Sequence, residues 1–339
     1  MVRLSNIQFL RFFAAMMVVT SHIASHVPLL AGHQESSFWD RISIAGSYGV
    51  DIFFVISGFV ITNSFRHQKK SPSQFLKLRF FRIYPLYAAV TILFFLMHLV
   101  FPSMANSSKI SIRLLLSSLT LTSRIFGFPY PILPQGWTLE IEVFFYLIFV
   151  ASIILCLRLK SFSGKEGLLS GVFILLAIIF GAPNLMIEFV FGTLISIYSG
   201  KTRKMGFILL AAIGFFIFIW INIAIDIRTD RYLWIGLPSA LLVFLAIATP
   251  QLPRRFMNFL GDISYSIYLI HGIIIAVLLR FFTGIHEHSI LIFSECVFAL
   301  VVVIAGCTYL FFERPLVLYS KNRWGKSIDA KKGKGIDNA

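Results

Sequence analysis

Charge is what this sequence has least of for its length. Only 13% of its 339 residues are Asp, Glu, Lys or Arg, against about 25% in soluble domains. That excludes a soluble chain with a surface of ordinary make-up. Acid is scarcer still: 15 Asp and Glu against 30 Lys and Arg leave a net charge of +15. On a soluble protein such an excess points to nucleic acid. Here the basic residues collect in short segments between apolar runs, which reads as membrane topology and leaves no nucleic-acid partner to expect. Cysteine is nearly absent, with Cys156, Cys296 and Cys307 each inside an apolar run and no CxxC pair. A disulfide framework and a zinc site are thereby excluded, and no metal site is expected. No polar stretch is long enough for a soluble domain, and no internal repeat stands out. No clean A-x-A sequence follows the first apolar run. That run is therefore read as a first transmembrane helix and not as a cleaved signal peptide.

What is present is apolar length. Hydrophobic residues make up 58% of the chain and Phe alone appears 37 times, arranged in runs near the roughly 20 residues a membrane helix needs. The expectation is an all-α, polytopic membrane helix bundle of about ten transmembrane helices. They fall near 6–26, 47–65, 82–101, 138–157, 168–182, 185–199, 206–224, 232–249, 263–282 and 290–312. With the N-terminus inside, the inner segments include "RHQKKSPSQFLKLRFFR", "RLKSFSGK", "KTRK", "QLPRR" and the tail from Arg314. They hold most of the Lys and Arg, as expected if both termini are cytoplasmic. Residues 1–318 read as one membrane domain, and 319–339 as a basic, disordered cytoplasmic tail. One outer loop, 102–137, is long, and long loops in compact proteins are often functional. A re-entrant or interfacial helix that caps the bundle is its plainer reading.

Several polar groups interrupt the apolar runs. Arg11 and His22 are 11 residues apart, which on a helix is three turns plus about 20°, so they share a face about 16.5 Å apart along the axis. A charge inside a membrane span is costly and almost always faces the protein interior or a wet cavity. Asp51 enters from the outer side within "GVDIFFVISGF", with Ser57 deeper. Glu140 and Glu142 open the span "GWTLEIEVFFY". They point about 200° apart on a helix, so at most one of them faces a shared cavity. His22, Asp51 and Glu142 are expected at a similar outer depth. At the inner mouth, "KLRFFRIYP" puts Arg79 and Arg82 at i, i+3, a spacing suited to clamping phosphate or carboxylate. "GDISYSIYLIHG" carries His271 behind Ser264, Tyr265 and Tyr268. "FFERP" ends the last span, where Glu313 and Arg314 read as interface anchors. Each group taken alone has a structural explanation: a snorkelling Arg, a satisfied core His, an ordinary positive stop.

Taken together, "R…H" at Arg11 and His22, "GVDIFFVISGF", "RFFRIYP", "GWTLEIEVFFY", "GDISYSIYLIHG" and "FERP" resemble the acyltransferase-3 family of bacterial integral membrane enzymes, most closely its exopolysaccharide-modifying branch. The resemblance runs from about residue 4 to 318. It implies an enzyme of the bacterial inner membrane: an O-acyltransferase that takes acetyl, or another short acyl group, from cytoplasmic acyl-CoA. The acceptor would be a hydroxyl of a surface glycan or its lipid-linked precursor. Acyl-CoA is then a co-substrate, and no cofactor is bound permanently. The resemblance assigns function to Arg11, His22, Arg79 and Arg82. Where the family commonly has two glutamates, this chain has Glu142 and then Val143. The expected mechanism has Arg79, Arg82 and Arg11 binding the donor and His22 acting as general base or acyl relay. Glu142 or Asp51 orients its ring, and His271, Tyr265 and Ser57 support the site. The alternative is a transporter or flippase for a glycan or lipid intermediate, since polar residues inside a many-helix bundle also mark transporters.

Overall fold

A computed structural model describes residues 4–31, 37–68, 71–101, 110–158, 186–198, 232–282 and 288–325. Among them every regular element is helical and no strand occurs. The helices are α1 (Ser5–Ala31), α2 (Ser37–Ser47), α3 (Gly49–Gln68), α4 (Pro72–Val100), α5 (Ile112–Leu119) and α6 (Trp137–Arg158). There follow α7 (Met186–Tyr198), α8 (Leu237–Ala248), α9 (Arg254–Phe282), α10 (His288–Thr308) and α11 (Arg314–Trp324). Among the described residues six helical stretches are long and apolar enough to cross a membrane, and the protein is an integral membrane protein. The helices at 186–197 and 234–248 are apolar but shorter. Eight of the expected spans thus coincide with described helices. The other two, 168–182 and 206–224, lie outside the described residues.

Two boundaries differ from expectation for a physical reason. α4 begins at Pro72, well before the apolar run at 82. Ser71 accepts from the Gln74 backbone N–H while the Gln74 side chain accepts from the Ser71 N–H, a capping box with Pro72 in the first turn. Helix is therefore continuous through the basic stretch that looked like a loop. At the other end, α11 carries the chain on to Trp324, past the domain boundary expected at 318. Its Trp324 ring packs 4.9 Å from Phe81 and lies under the Lys77 ammonium. Residues 326–339 lie outside the described set.

The bundle is held by close helix crossings. α3 and α7 meet through glycine: a Cβ on Gly58 would lie 2.1 Å from the Phe189 carbonyl oxygen, and one on Gly192 2.0 Å from that of Val55. Only hydrogen fits there, which is how membrane helices gain contact where no hydrophobic effect drives them together. Thr62 donates to Thr193 at 3.1 Å, and Arg66 donates to the Ser196 carbonyl across the same seam. The start of α1 is tied to the segment before α9, where Asn6 exchanges hydrogen bonds with Thr249, Pro250 and Leu252. The apolar core runs through Val18, Phe145, Phe149, Phe189, Ile263 and Phe293. Leu93, Leu96 and Leu99 of α4 and Leu291, Val303 and Phe311 of the last span stay exposed, as lipid-facing residues do.

Candidate active site

A cavity of about 460 Å³ lies among α1, α3, α4, α6, α9 and the α10–α11 junction. Its lining is rich in charge for a membrane protein. Arg11, Arg79, Arg82, Arg314 and Lys321 face Glu142, Asp262 and Glu313 across it. Intramembrane charges of this kind mark function far more often than fold.

The capping box sets the register of α4 and so aims Arg79 and Arg82 at the cavity, three residues apart on one face. The Arg79 guanidinium sits 5.4 Å from the Phe75 ring and 6.0 Å from the Tyr146 ring, a cation–π setting. The Tyr146 hydroxyl donates to Glu142 Oε1 at 2.5 Å, and Ser57 Oγ donates to the same oxygen at 2.6 Å. Arg79, Tyr146, Glu142 and Ser57 thus form one chain across α4, α6 and α3. Arg11 reaches back to Gln8 Oε1 at 3.4 Å on α1.

The expected divergence of Glu140 and Glu142 is seen. Glu142 lines the cavity, and Glu140 turns the other way to accept from the Ser123 and Arg124 backbone N–H groups at 2.8 and 3.4 Å. Glu140 therefore anchors the segment before α6, residues 120–136, which packs on the bundle. Ser118 accepts from the Ile132 N–H, and the Tyr87 hydroxyl donates to the Ser118 carbonyl. Gln135, in a short 3₁₀ turn, donates to the Leu269 carbonyl of α9 at 2.9 Å. Thr138 and Tyr268 share a hydrogen bond of 2.7 Å at the cavity's far wall, and both also bond the Gln135 carbonyl.

Behind that wall stand two histidines. The Tyr268 and His271 ring centroids are 6.0 Å apart, and those of His271 and His22 are 5.0 Å apart. His271 is fully buried. Its Nδ1 lies 3.1 Å from the Ile267 carbonyl, and its Nε2 has no hydrogen-bond partner among the described residues.

The sequence-predicted residues therefore fall into two groups. The cavity gathers Arg11, Arg79, Arg82, Glu142, Ser57 and Tyr265. His22, His271 and Asp51 are not in its lining. Of the two carboxylates expected to orient His22, Glu142 accepts from Ser57 and Tyr146, and the ring packed against His22 is that of His271. Asp51 is fully buried in the first turn of α3.

Sequence reasoning missed Glu313 and Asp262. Glu313 was read as an interface anchor, yet it is buried, lines the cavity and accepts from Ser266 Oγ at 3.1 Å. Four residues earlier, the Tyr309 hydroxyl donates to Asp262 at 3.0 Å. Both contacts come from a π-helical turn, Tyr309–Glu313, that widens the helix between α10 and α11. Such turns favour functional sites. The available signal was an acid closing an apolar span; the π turn itself leaves no mark in the residue pattern.

Comparison with known proteins bears on this geometry. The model of the acyltransferase-3 family, described as an acyltransferase domain, matches residues 4–312. The exopolysaccharide production protein ExoZ of Rhizobium meliloti is 29% identical over 307 residues, which is 82% of this chain and 92% of that protein. The acyltransferase MdmB of Streptomyces mycarofaciens is 36% identical over 155 residues, 44% of this chain and 38% of that protein. No solved structure matches.

Proposed function

The chain belongs to the acyltransferase-3 family, and from that premise we propose that it is a bacterial inner-membrane O-acyltransferase that uses cytoplasmic acyl-CoA. It moves a short acyl group, acetyl by default, to a hydroxyl of a surface glycan or its lipid-linked precursor. The observation that carries the reading is the cavity: five cationic side chains line it, and beyond its Tyr268–Thr138 wall lies an imidazole pair. CoA brings phosphates that guanidinium pairs bind bidentately. Arg79 and Arg82, with Arg11, hold that end, and the acyl-pantetheine arm runs toward Tyr268. The name of the Rhizobium relative, an exopolysaccharide production protein, supports a glycan acceptor. The transporter reading has no counterpart in the family membership.

In the reaction, His22 takes the proton of the acceptor hydroxyl as its oxygen attacks the thioester carbonyl. The carbon–sulfur bond breaks, and the CoA thiolate leaves with a proton from the imidazolium. Acid–base assistance of this kind contributes about 10²–10⁴-fold. The test is reconstitution in proteoliposomes with labelled acetyl-CoA and purified exopolysaccharide. Wild type transfers label to the polysaccharide, and His22→Ala keeps acetyl-CoA affinity while losing about 10²-fold or more of the transfer. Wild-type turnover by His22→Ala removes that residue from the chemistry. Movement of saccharide across the membrane without acyl transfer overturns the enzyme reading in favour of a transporter.

A further inference from the structure

We propose that His271 is the positioning residue for His22: its bare Nε2 accepts a hydrogen bond from the His22 ring, fixes the His22 tautomer and leaves the other His22 nitrogen free as base. This deepens the acyltransferase reading and rests on it for the chemistry, though the hydrogen bond itself does not.

The argument starts from donors and acceptors. A carbonyl oxygen only accepts, so the 3.1 Å contact from His271 Nδ1 to the Ile267 carbonyl assigns the ring proton to Nδ1. A neutral imidazole with its proton on Nδ1 presents a lone pair at Nε2. That lone pair is buried, and no protein group among the described residues meets it. Leaving a buried acceptor unmet costs about 1–3 kcal/mol, so a partner within reach is a strong expectation. The neighbouring titratable side chain is His22, whose ring centroid is 5.0 Å away at a tilt of 39°. Two imidazoles that share one edge-to-edge hydrogen bond of ordinary length, about 2.9 Å, have centroids about 5 Å apart. The proposal therefore includes a turn of the His22 ring about its Cβ–Cγ bond.

The surroundings leave this role to His271. The acids of the cavity are engaged elsewhere: Glu142 accepts from Ser57 and Tyr146, Glu313 from Ser266 and Asp262 from Tyr309. The helix backbone and the Tyr268 ring hold His271 in place, and Tyr268 is itself pinned to Thr138 and Gln135. The segment before α6 that carries Gln135 therefore reaches His22 through Tyr268 and His271. A neutral partner has a chemical consequence. It orients the base as a carboxylate does in a Ser-His-Asp arrangement, but it adds no negative charge inside the membrane.

Two measurements on the full chain in liposomes test this. In the first, histidine is labelled with ¹⁵N and the rings are read by solid-state NMR, with His22→Ala used for assignment. The expected spectrum has His271 protonated on Nδ1, with Nε2 as a hydrogen-bonded acceptor coupled to the His22 N–H. A His271 protonated on Nε2, or two uncoupled rings, overturns the proposal. In the second, His271→Gln is compared with His271→Leu using acetyl-CoA as donor and purified exopolysaccharide as acceptor. Gln places an amide oxygen near the Nε2 position, and Leu fills the space without an acceptor. The Gln variant keeps kcat within a few-fold, whereas the Leu variant loses on the order of 10²-fold in kcat with KM for acetyl-CoA unchanged. Equal losses in both variants, or a loss confined to KM, overturn it. If wild type transfers no acetyl group, the acyltransferase reading fails while the NMR result still decides the histidine pair.

Discussion

Arg79 and Glu142 act as one unit through Tyr146, and each side of that unit makes its own prediction. Arg79 lies against two aromatic rings, Phe75 and Tyr146, a setting that suits a flat guanidinium better than a compact ammonium. Arg79→Lys is therefore expected to behave nearly as badly as Arg79→Ala. Both variants weaken acetyl-CoA binding by about tenfold or more, and the deficit shrinks as salt rises and screens the wild-type contact. Calorimetry across ionic strength measures this, and a Lys variant with wild-type affinity contradicts the stacked clamp. Glu142 carries a different load. Its Oε1 is the acceptor for both Ser57 and Tyr146, so Glu142→Ala strands two hydroxyls and costs about 1–3 kcal/mol for each buried one. Glu142→Gln keeps an acceptor in place and loses much less. Melting curves of the detergent-solubilised protein separate the two, and equal melting temperatures for Ala and Gln refute the assigned role. Of this cluster, the sequence exposed the Arg79–Arg82 spacing and the divergence of the two glutamates, because both follow from helix geometry alone. The partners did not follow: depth alone leaves both Glu142 and Asp51 as candidates beside His22, whereas lateral packing of α3, α4 and α6 decides which side chains touch.

At the scale of elements, a site built across several helices depends on how closely those helices cross. Ser57 and Gly58 are adjacent on α3, and they face different neighbours. Ser57 reaches Glu142 on α6, and Gly58 lies against the Phe189 backbone of α7. Gly192 is the other half of that crossing, with the Val55 carbonyl 2.0 Å from where a Cβ would stand. Gly192→Val must push α7 away from α3, an overpacking that costs about 1–3 kcal/mol or more, and the shift loosens the Ser57–Glu142 contact next door. The expected result is a lower melting temperature together with reduced transfer. Gly306→Ala serves as the control, because its added carbon meets only the tip of Phe259 at 3.9 Å; an equal loss in both variants removes the crossing argument. Helix identity was legible from apolar run length, and helix extent was not. The start of α4 is fixed by hydrogen bonds between Ser71 and Gln74, while hydropathy alone places it at residue 82. The segment before α6 was legible as long, but its packing onto α9 through Gln135 and Leu269 depends on a contact 134 positions away in sequence.

At the scale of the whole molecule, the distribution of charge acquires a direction. The cavity's cations come from the first turns of α1, the start of α4 and the α11 segment, all of which fall on one side if successive long spans alternate across the bilayer. The acid-anchored loop at Ser123 and Arg124 falls on the other side, at the start of α6. Positive-inside bias then predicts a cytosolic basic mouth, which is where an acyl-CoA donor is found. The orientation can be measured without reference to activity. Replacing Cys156, Cys296 and Cys307 with Ala gives a background for single cysteines. Ile125 is 80% exposed beside the Gly127 turn, which has a φ of +79° and no neighbour within 4 Å of a built Cβ. Ile125→Cys is expected to react with a membrane-impermeant maleimide on intact spheroplasts, and Arg323→Cys only after the membrane is opened. Labelling of Arg323→Cys from outside puts the arginine mouth on the wrong face for a cytoplasmic donor. The geometry of the cavity survives that outcome, but the donor then has to come from the outer side, and acyl-CoA is no longer the chemistry that the arginines serve.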